Sequence, residues 1–362
     1  MSNLSKKLEP LIIGDLTIEI PIIQGGMGVK VSTASLASAV ANCGGAGTIA
    51  SVGLGYGTKE NDTNFVKSSI IGLENEIRQA KELSKGVVGV NILVALSNYE
   101  DLARTAVKEK ADFIVSGAGL PLRLPEFAEG TATKLIPIAS SGRAADIIIK
   151  SWKRRYSRLP DAIVVEGRLA GGHLGFTFED LTSDKKDGLD NLVLDVLKVV
   201  KGYEKQYNAR IPVIAAGGIF DGKDLVKFLK LGVAGVQIAT RFVATHECSV
   251  SDKFKQLYVS SKVQEVLIIK SPVGMPGRAI RTEFIDRIMN SERVPVRCNY
   301  RCLKTCNPQT TPYCILQALY NAVSGDLKNA VVFAGSNVWR VDKIVSVKEL
   351  MDEIVSEAVA EL

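Results

Sequence analysis

Residues 162–175 read Ala-Ile-Val-Val-Glu-Gly-Arg-Leu-Ala-Gly-Gly-His-Leu-Gly, and this stretch indicates both the fold and the site. Its first four residues are apolar, as in a parallel strand that is buried on both faces. The glycines after them let a ligand approach the backbone closely. His173 is one of two histidines in the 362 residues, and imidazole titrates near neutral pH. A functional His173 is one hypothesis, and a histidine held by hydrogen bonds in a glycine-rich turn is the alternative.

The same succession of an apolar strand and a polar or glycine-rich turn recurs along the chain. Eight segments have the composition of buried strands, namely Ile20–Gln24, Ala46–Ile49, Val87–Ile92, Phe113–Ser116, Leu135–Ala139, Ala162–Val165, Val213–Ala216 and Gly235–Ala239. Amphipathic stretches between them predict helices at Ser32–Cys43, Gly72–Ser84, Tyr99–Glu109, Arg143–Arg155 and Leu189–Tyr203. Strand–helix alternation predicts a parallel sheet, and eight units in about 245 residues favour an α/β TIM (β/α)₈ barrel. A doubly wound open sheet is the alternative.

Two strand ends late in the chain indicate an anion site. The strand before Gly217 and Gly218 breaks into these two glycines, and the next strand ends at Ala239 and Thr240. Backbone N–H groups at strand-to-helix turns bind anions, and in barrels the loops after strands seven and eight commonly hold phosphate. We therefore predict a phosphate cradle at these two turns.

Composition limits the classes of function. Apolar residues make up 46% and charged residues 23%, as in an ordinary globular protein, and no run of about 18 apolar residues predicts a membrane span. The N-terminus has no signal-peptide pattern, so a cytoplasmic protein is expected. The net charge of +6 suits an anionic small-molecule substrate or a phosphorylated cofactor. No nucleic-acid or membrane partner is expected, and a homodimer is one of the assemblies left open.

The strand–helix pattern weakens near residue 250, which suggests a division of the chain. Residues 1–250 are expected to form the barrel, and residues 251–362 a helical C-terminal region packed on it. We predict helices at Lys223–Leu231 in the barrel and at Phe254–Leu267, Tyr313–Ser324 and Val347–Leu362 in the C-terminal region. Loops are expected at Gly53–Asn64, at Thr177–Gly188 as a candidate lid, and at Lys270–Arg278.

Four cysteines of the C-terminal region lie close together in sequence, with the spacing C-x3-C-x3-C-x7-C: Cys298, Cys302, Cys306 and Cys314. Four thiolates can ligate a zinc ion or an iron–sulfur cluster, but this spacing matches no common pattern for either. A metal site, free thiols and disulfides therefore all stay open.

Taken in order, four motifs resemble the flavin-dependent nitronate monooxygenase family, formerly called 2-nitropropane dioxygenases, over residues 8–250. These motifs lie at residues 21–28, 170–175, 215–219 and 237–242. The related bacterial flavin-dependent enoyl-acyl-carrier-protein reductases share them.

The resemblance implies FMN in a TIM barrel. It implies that the backbone at Gly25, Gly26 and Met27 lies along the flavin ring, Asn91 near its edge, and Lys134 near its N1–C2 carbonyl side. Glycines 171 and 172 would let the chain pass the cofactor, and the two late turns would enclose its phosphate. The implied cofactor-binding residues are Gln24, Gly25, Gly26, Met27, Asn91, Lys134, Gly171, Gly172, Gly217, Gly218, Gln237, Ala239 and Thr240.

Three functions are compatible with this resemblance. The first is nitronate oxidation with O₂, in which His173 acts as a base on neutral nitroalkane or donates a hydrogen bond to the nitro group. The second is NAD(P)H-dependent reduction of an enoyl thioester or a quinone, in which His173 positions the carbonyl. The third is a flavin-binding redox or regulatory module that uses the cysteines. We favour the first and keep the second as its main alternative.

Overall fold

The structure, a computed structural model, describes residues 8–60, 64–183, 188–298 and 300–362. Strands and helices are numbered separately along the chain. An antiparallel hairpin of two short strands comes first, formed by β1 Leu11–Ile13 and β2 Leu16–Ile18. Leu11, Ile13 and Ile18 of this hairpin are fully buried, because they close one end of the barrel that follows.

Eight parallel strands form the central sheet, and the open doubly wound alternative is wrong. In chain order they are β3 Ile22–Gln24, β4 Gly47–Ala50, β5 Val88–Leu93, β6 Phe113–Gly117, β7 Lys134–Ala139, β8 Ile163–Glu166, β10 Val213–Ala216 and β11 Gly235–Ile238. Their spatial order is β3-β11-β10-β8-β7-β6-β5-β4. Two backbone hydrogen bonds join Ala46, just before β4, to β3, at 2.8 Å from Gln24 N and 2.9 Å to Ile22 O. The barrel is therefore closed, and all eight predicted strands are confirmed.

Helices surround the barrel and bury their apolar faces against it. They are α1 Ala34–Asn42, α2 Phe65–Leu83, α3 Tyr99–Lys108, α4 Leu124–Phe127, α5 Gly142–Tyr156, α6 Phe178–Thr182, α7 Leu189–Tyr207, α8 Gly222–Leu231, α9 Thr240–Val243, α10 Asp252–Ser260, α11 Glu283–Met289, α12 Ile315–Ser324 and α13 Val347–Glu361. Side-chain caps begin several of them: Ser141 Oγ accepts from Ala144 N, and Asp221 accepts from Asp224 N. These caps fix where the chain turns from a strand end into a helix.

Side chains from neighbouring barrel strands fill the barrel interior. Phe113, Val115, Ile136, Val164 and Ile214 pack there in one cluster with the apolar residues of the N-terminal hairpin. The interior is therefore a packed core toward the amino ends of the strands. Space for a ligand is left only toward their carboxyl ends.

The C-terminal region is mixed in structure, not purely helical as predicted. The predicted helix Phe254–Leu267 ends at Ser260, and the β-branched run after it forms β12 Val266–Lys270. This strand pairs antiparallel with β13 Pro276–Ile280, where a loop was expected. Strand β13 also pairs with β14 Val332–Phe333 and with β9 Gly172–His173 of the barrel.

The last helix ties the chain end to the barrel. Helix α13 packs against α8 and α1, and Glu357 Oε2 accepts a hydrogen bond of 2.9 Å from Gly222 N at the start of α8. Among the described residues, no helix is both long and apolar enough to cross a membrane.

Two predicted loops are only partly described. The segment Thr177–Gly188 begins with α6, which Thr177 and Asp180 cap reciprocally, so its first part is helix and not loop. Residues 184–187 of this candidate lid and residues 61–63 of the loop Gly53–Asn64 lie outside the described residues. A lid function for the first segment stays a prediction.

Replacing Gly47 by Ala should destabilise the barrel by about 1–3 kcal/mol, the usual cost of overpacking a core. A Cβ at Gly47 would overlap the Ala37 carbonyl of α1, because this helix lies directly on β4. Gly202→Ala is the matched control. Gly202 lies within α7 with no atom near its missing side chain, so Ala should stabilise the helix by about 0.5–1 kcal/mol. Chemical denaturation followed by circular dichroism measures both; equal effects would contradict this packing.

Candidate active site at the carboxyl end of the barrel

One cavity lies at the carboxyl ends of the barrel strands. It is lined by every residue that the sequence predicted for the site except Gln24 and Lys134. The residues that it brings together are Gly25, Gly26, Met27, Asn91, Gly171, Gly172, His173, Gly217, Gly218, Gln237, Ala239 and Thr240. They come from five strand ends that are distant in sequence, which is how active sites of eight-stranded α/β barrels are built.

Gln24 is fully buried beside the cavity and does not line it. Its side-chain nitrogen donates to Ser32 Oγ at 2.8 Å, and its side-chain oxygen accepts from Thr48 N at 3.0 Å. The side chain therefore fastens the turn after β3 to β4.

Lys134 lies at the opposite end of the barrel, so the prediction that it contacts the flavin is wrong. It is the first residue of β7, and its ammonium group forms an ion pair with Asp15 in the turn of the N-terminal hairpin. The strand runs from Lys134 to Ala139, and five residue steps at about 3.3 Å each put roughly 16 Å between Lys134 and the cavity end. The family resemblance identified a lysine on this strand, but it did not show at which end of β7 the lysine lies.

The two late turns have the geometry of an anion site. Gly217 and Gly218 have φ angles of +93° and +91°, which favour glycine, and a Cβ at Gly217 would lie 2.8 Å from the Gly167 carbonyl oxygen. Within the described ranges, the backbone N–H groups of Gly218, Ile219, Ala239 and Thr240 have no protein acceptor. Such N–H groups bind phosphate, so these residues fit the phosphate of FMN.

Glycines also leave room for a flat ring between these turns and β5. A side chain at Gly26 would overlap Asn91, so the turn after β3 lies directly against that strand. At Gly172, with φ of +73°, an added Cβ would meet no atom within 4 Å. The backbone on both sides of the cavity is therefore bare, as contact with a planar ring system requires.

His173 lies on the cavity wall in β9 and has a defined orientation. Its Nε2 shares a hydrogen bond of 2.7 Å with Ser271 Oγ, and its ring meets the Phe333 ring edge-on at 4.9 Å between centroids. Burial lowers the pKa of His173 to about 4, because the protein replaces the water that would solvate an imidazolium. The side chain is therefore neutral at neutral pH. Both hypotheses hold in part, since the histidine is held by a hydrogen bond and also faces the cavity.

Arg278 holds the glycine-rich segment before His173 in place, and no sequence pattern indicated this role. Arg278 is 7% exposed, and its Nη1 donates to the carbonyl oxygens of Arg168 and Ala170, both at 2.6 Å. Burial lowers the pKa of Arg278 to about 10, so it stays charged at neutral pH. Strand β13 carries this residue, and sequence reasoning placed a loop there.

Residues of the segment 335–340 contact the two late turns beside the cavity. Asn337 Nδ2 donates to the Gly218 carbonyl at 2.7 Å, and Thr240 Oγ1 accepts from Gly335 N at 3.1 Å. Arg340 forms an ion pair of 2.7 Å with Asp221, the cap of α8. The cavity is also lined by Glu166, the last residue of β8, for which the sequence motifs predicted no function.

The four clustered cysteines are free thiols in this structure, as are the other two cysteines. No group of three or more His, Cys, Asp or Glu side chains among the described residues could hold a metal ion. Burial raises the pKa of Cys302 to about 12, and burial with neighbouring thiols also raises those of Cys306 and Cys314. These thiols are therefore protonated in the metal-free protein, and a metal site at the four cysteines stays a prediction. Cys302 instead lines the cavity.

The family model described as nitronate monooxygenase matches residues 9–357 of the chain. This match extends the sequence resemblance from residue 250 through the C-terminal region. The chain is 28% identical to a probable nitronate monooxygenase of Staphylococcus aureus (strain Newman), over 76% of this chain and 79% of that protein.

Two further similarities cover nearly the whole chain. It is 27% identical, over 99% of its length and 97% of the relative, to the (3aS,4S,5R,7aS)-5-hydroxy-7a-methyl-1-oxo-octahydro-1H-indene-4-carboxyl-CoA dehydrogenase of Rhodococcus jostii (strain RHA1). The solved structure of FabK from Thermotoga maritima superposes with a TM-score of 0.73 at 28% identity, covering 94% of this chain and 93% of that one.

Arg278→Ala should loosen the segment 168–173 and lower both stability and flavin retention. Two carbonyl oxygens lose their donor, at a cost of about 1–3 kcal/mol for each buried unsatisfied group. Arg281→Ala is the control, because Arg281 is exposed and pairs with Asp286, a surface ion pair worth about 0–1 kcal/mol. Thermal unfolding and flavin content after gel filtration measure the effects; a silent R278A variant would contradict the role given to this residue.

Proposed function

Because the chain belongs to the nitronate monooxygenase family and is an FMN-dependent oxidoreductase, we propose that it oxidises alkyl nitronates with O₂ as the electron acceptor. The observation that carries this proposal is a neutral His173 on the wall of a cavity that is also lined by the glycine backbone of the turn after β3, of residues 171–172 and of residues 217–218. FMN supplies the electron-accepting ring. A neutral imidazole adds no charge to the cavity, and it presents a polar ring nitrogen to an anionic substrate.

The cofactor contacts are proposed residue by residue. The turn Gly25–Met27, Asn91 and the pair Gly171–Gly172 would flank the ring, and the turns at Gly217–Gly218 and Gln237–Thr240 would hold the phosphate. These roles are supported by the shared cavity and by the unpaired N–H groups of the late turns.

The low pKa of His173 bears on which form of the substrate is used. Burial keeps the imidazole neutral, so it can accept a hydrogen bond or a proton at neutral pH. It is nevertheless a weak base, because the same burial destabilises the imidazolium that proton abstraction would produce. We therefore favour a preformed nitronate as substrate, with His173 positioning the nitro group.

Reduction of thioesters with NAD(P)H is the second candidate function. An open groove lies beside the cavity and is lined by Phe178, Ser271 and Met275 among others. The two spaces meet at the hydrogen-bonded pair of His173 and Ser271, which would let an elongated substrate reach the cavity from the groove. The relative in Rhodococcus jostii, whose name contains a carboxyl-CoA group, matches this chain end to end.

Further predictions concern location and assembly. We propose a cytoplasmic enzyme, since free cysteines are typical of reducing compartments, and a homodimer as its assembly. The boundary near residue 250 between the FMN-binding barrel and the C-terminal region stays a prediction.

Anaerobic mixing of the yellow holoenzyme with single reductants tests the function. Propyl-2-nitronate should bleach the flavin absorbance within turnover time, whereas NADH and NADPH should leave it unchanged. Nitroethane adjusted to neutral form serves as the control for substrate ionisation and should react more slowly. Bleaching by a nicotinamide but not by the nitronate would overturn the proposal in favour of the thioester reductase.

His173→Ala should keep FMN bound and lower turnover about 10²–10⁴-fold, the usual range for a positioned acid–base group. If His173 positions the nitro group, the loss should be equal for nitronate and neutral nitroalkane; if it is a base, the loss on nitronate should be smaller. With a pKa of about 4, the neutral form persists above pH 4, so wild-type activity should not fall between about pH 8 and 5 through this group. Steady-state kinetics over this range measure both; full activity of H173A would remove His173 from the mechanism.

A further inference from the structure

Glu166 is a carboxyl group deep in the flavin cavity to which the proposed reaction gives no role. It is the last residue of β8 and lies beside Ala216 of β10 in the parallel register. It lines the same cavity as the turn Gly25–Met27 and the segment Gly171–His173. Its side chain therefore shares a space with the proposed contacts of the flavin ring.

The carboxylate of Glu166 has no hydrogen-bond or ion-pair partner among the described residues. This is unusual beside the other partly buried acids near the barrel end. Asp221 pairs with Arg340, and Asp224 accepts a hydrogen bond of 2.8 Å from Phe220 N. Buried charges in proteins are normally paired, so an unpartnered carboxyl in a cavity calls for a function.

The charged groups on the surrounding elements are directed elsewhere. On β7, Lys134 lies at the far end and pairs with Asp15, and β10 contains only apolar residues. In the following loop, Arg168 donates to the backbone carbonyls of Asp180 and Ser183. Arg278 of β13 donates to carbonyl oxygens of the same loop. The cavity is also lined by His173, which is neutral, and by Tyr258 and Cys302, which stay protonated because burial raises the pKa of each.

These surroundings decide the ionisation of Glu166. With no cation close by, burial raises its pKa to about 7, since a carboxylate loses more solvation than a neutral carboxyl. Both protonation states are therefore populated at neutral pH, and a nearby charge can shift the balance between them.

We propose that Glu166 is the proton-exchanging group of the flavin cavity, and that it becomes protonated when negative charge enters the cavity. One proton from solvent then binds a carboxylate oxygen, and one O–H bond forms with no transfer of electrons. When the negative charge leaves, the proton returns to solvent. The charge can come from an anionic ligand or from electrons accepted by the cofactor, so the proposal holds for either candidate substrate.

The physical reason is electrostatic. Two like charges that lie close together in a protein site repel each other, and removal of water strengthens the repulsion. Protonation of Glu166 removes this repulsion. A permanently neutral amide at this position would remove it too, but could not respond to the charge state of the cavity.

The test compares the holoenzymes of wild type, Glu166→Gln and Glu166→Asp by titrating the visible flavin spectrum from about pH 5.5 to 8.5. In wild type the spectrum should change with one apparent pKa near 7, because a charge forms beside the ring. The change should be absent in E166Q and present but displaced in E166D. Glu179→Gln is the control, since Glu179 is an exposed carboxyl on α6 and should leave the titration unaltered.

A second readout is the dissociation constant of FMN, measured by ultrafiltration at both ends of this range. Wild type should lose about 3–10-fold more affinity than E166Q as the pH rises, because only wild type acquires a negative charge near the anionic cofactor. Identical titrations and identical pH dependence of affinity in wild type and E166Q would overturn the proposal.

Infrared difference spectra cover the case in which E166Q folds but holds no FMN. The protonated-carboxyl band of a buried acid should be present in wild type below neutral pH, disappear above it, and be missing from E166Q at every pH. A band that persists in E166Q would assign the proton to another group and reject Glu166.

Discussion

The site depends on the pairing of the two-residue strand β9 with strand β13 of the C-terminal region. Residues Gly171 and Gly172 have no side chains with which to pack, so the segment before His173 cannot hold itself in place. Strand β13 holds this segment: its backbone pairs with Gly172 and His173, and its Arg278 donates hydrogen bonds to two carbonyl oxygens of the preceding residues. A glycine-rich wall that is bare enough to receive a planar cofactor is thus kept rigid from outside by the C-terminal region.

The same enclosure sets the protonation of the site. Removal of water disfavours whichever form of a group is charged, and it therefore moves a base and an acid in opposite directions on the pH scale. His173 is driven to its neutral form and Glu166 toward its neutral form, with pKa values of about 4 and about 7. The cavity thus contains few fixed charges apart from the N–H dipoles of the late turns, which attract a phosphate. A cavity with few fixed charges and one anion site at its edge suits a cofactor whose ring changes charge during turnover.

The barrel could be predicted from the sequence, whereas the contacts that the C-terminal region makes with the site could not. Each barrel strand is a local run such as Val213–Ala216, and a local pattern is enough to identify it. By contrast, β13 pairs with a segment about a hundred residues away, and no local pattern encodes that register. The position of Lys134 was predicted wrongly because the similarity identified a lysine, whereas the direction of β7 decides at which end of the barrel that lysine lies. Glu166 was visible at a strand end, but its lack of a partner is a property of the fold.

The link between β9 and β13 also orders events during synthesis. His173 and Ser271 are separated by 98 positions, so the ribosome must release a long further stretch before the hydrogen bond between them can form. Until then the barrel strands can assemble, yet the glycine segment has nothing to pair with. Long-range contacts of this kind form late in folding, because their loop entropy must be overcome first. The wall of the cavity that contains His173 is therefore completed only after the C-terminal region has been synthesised.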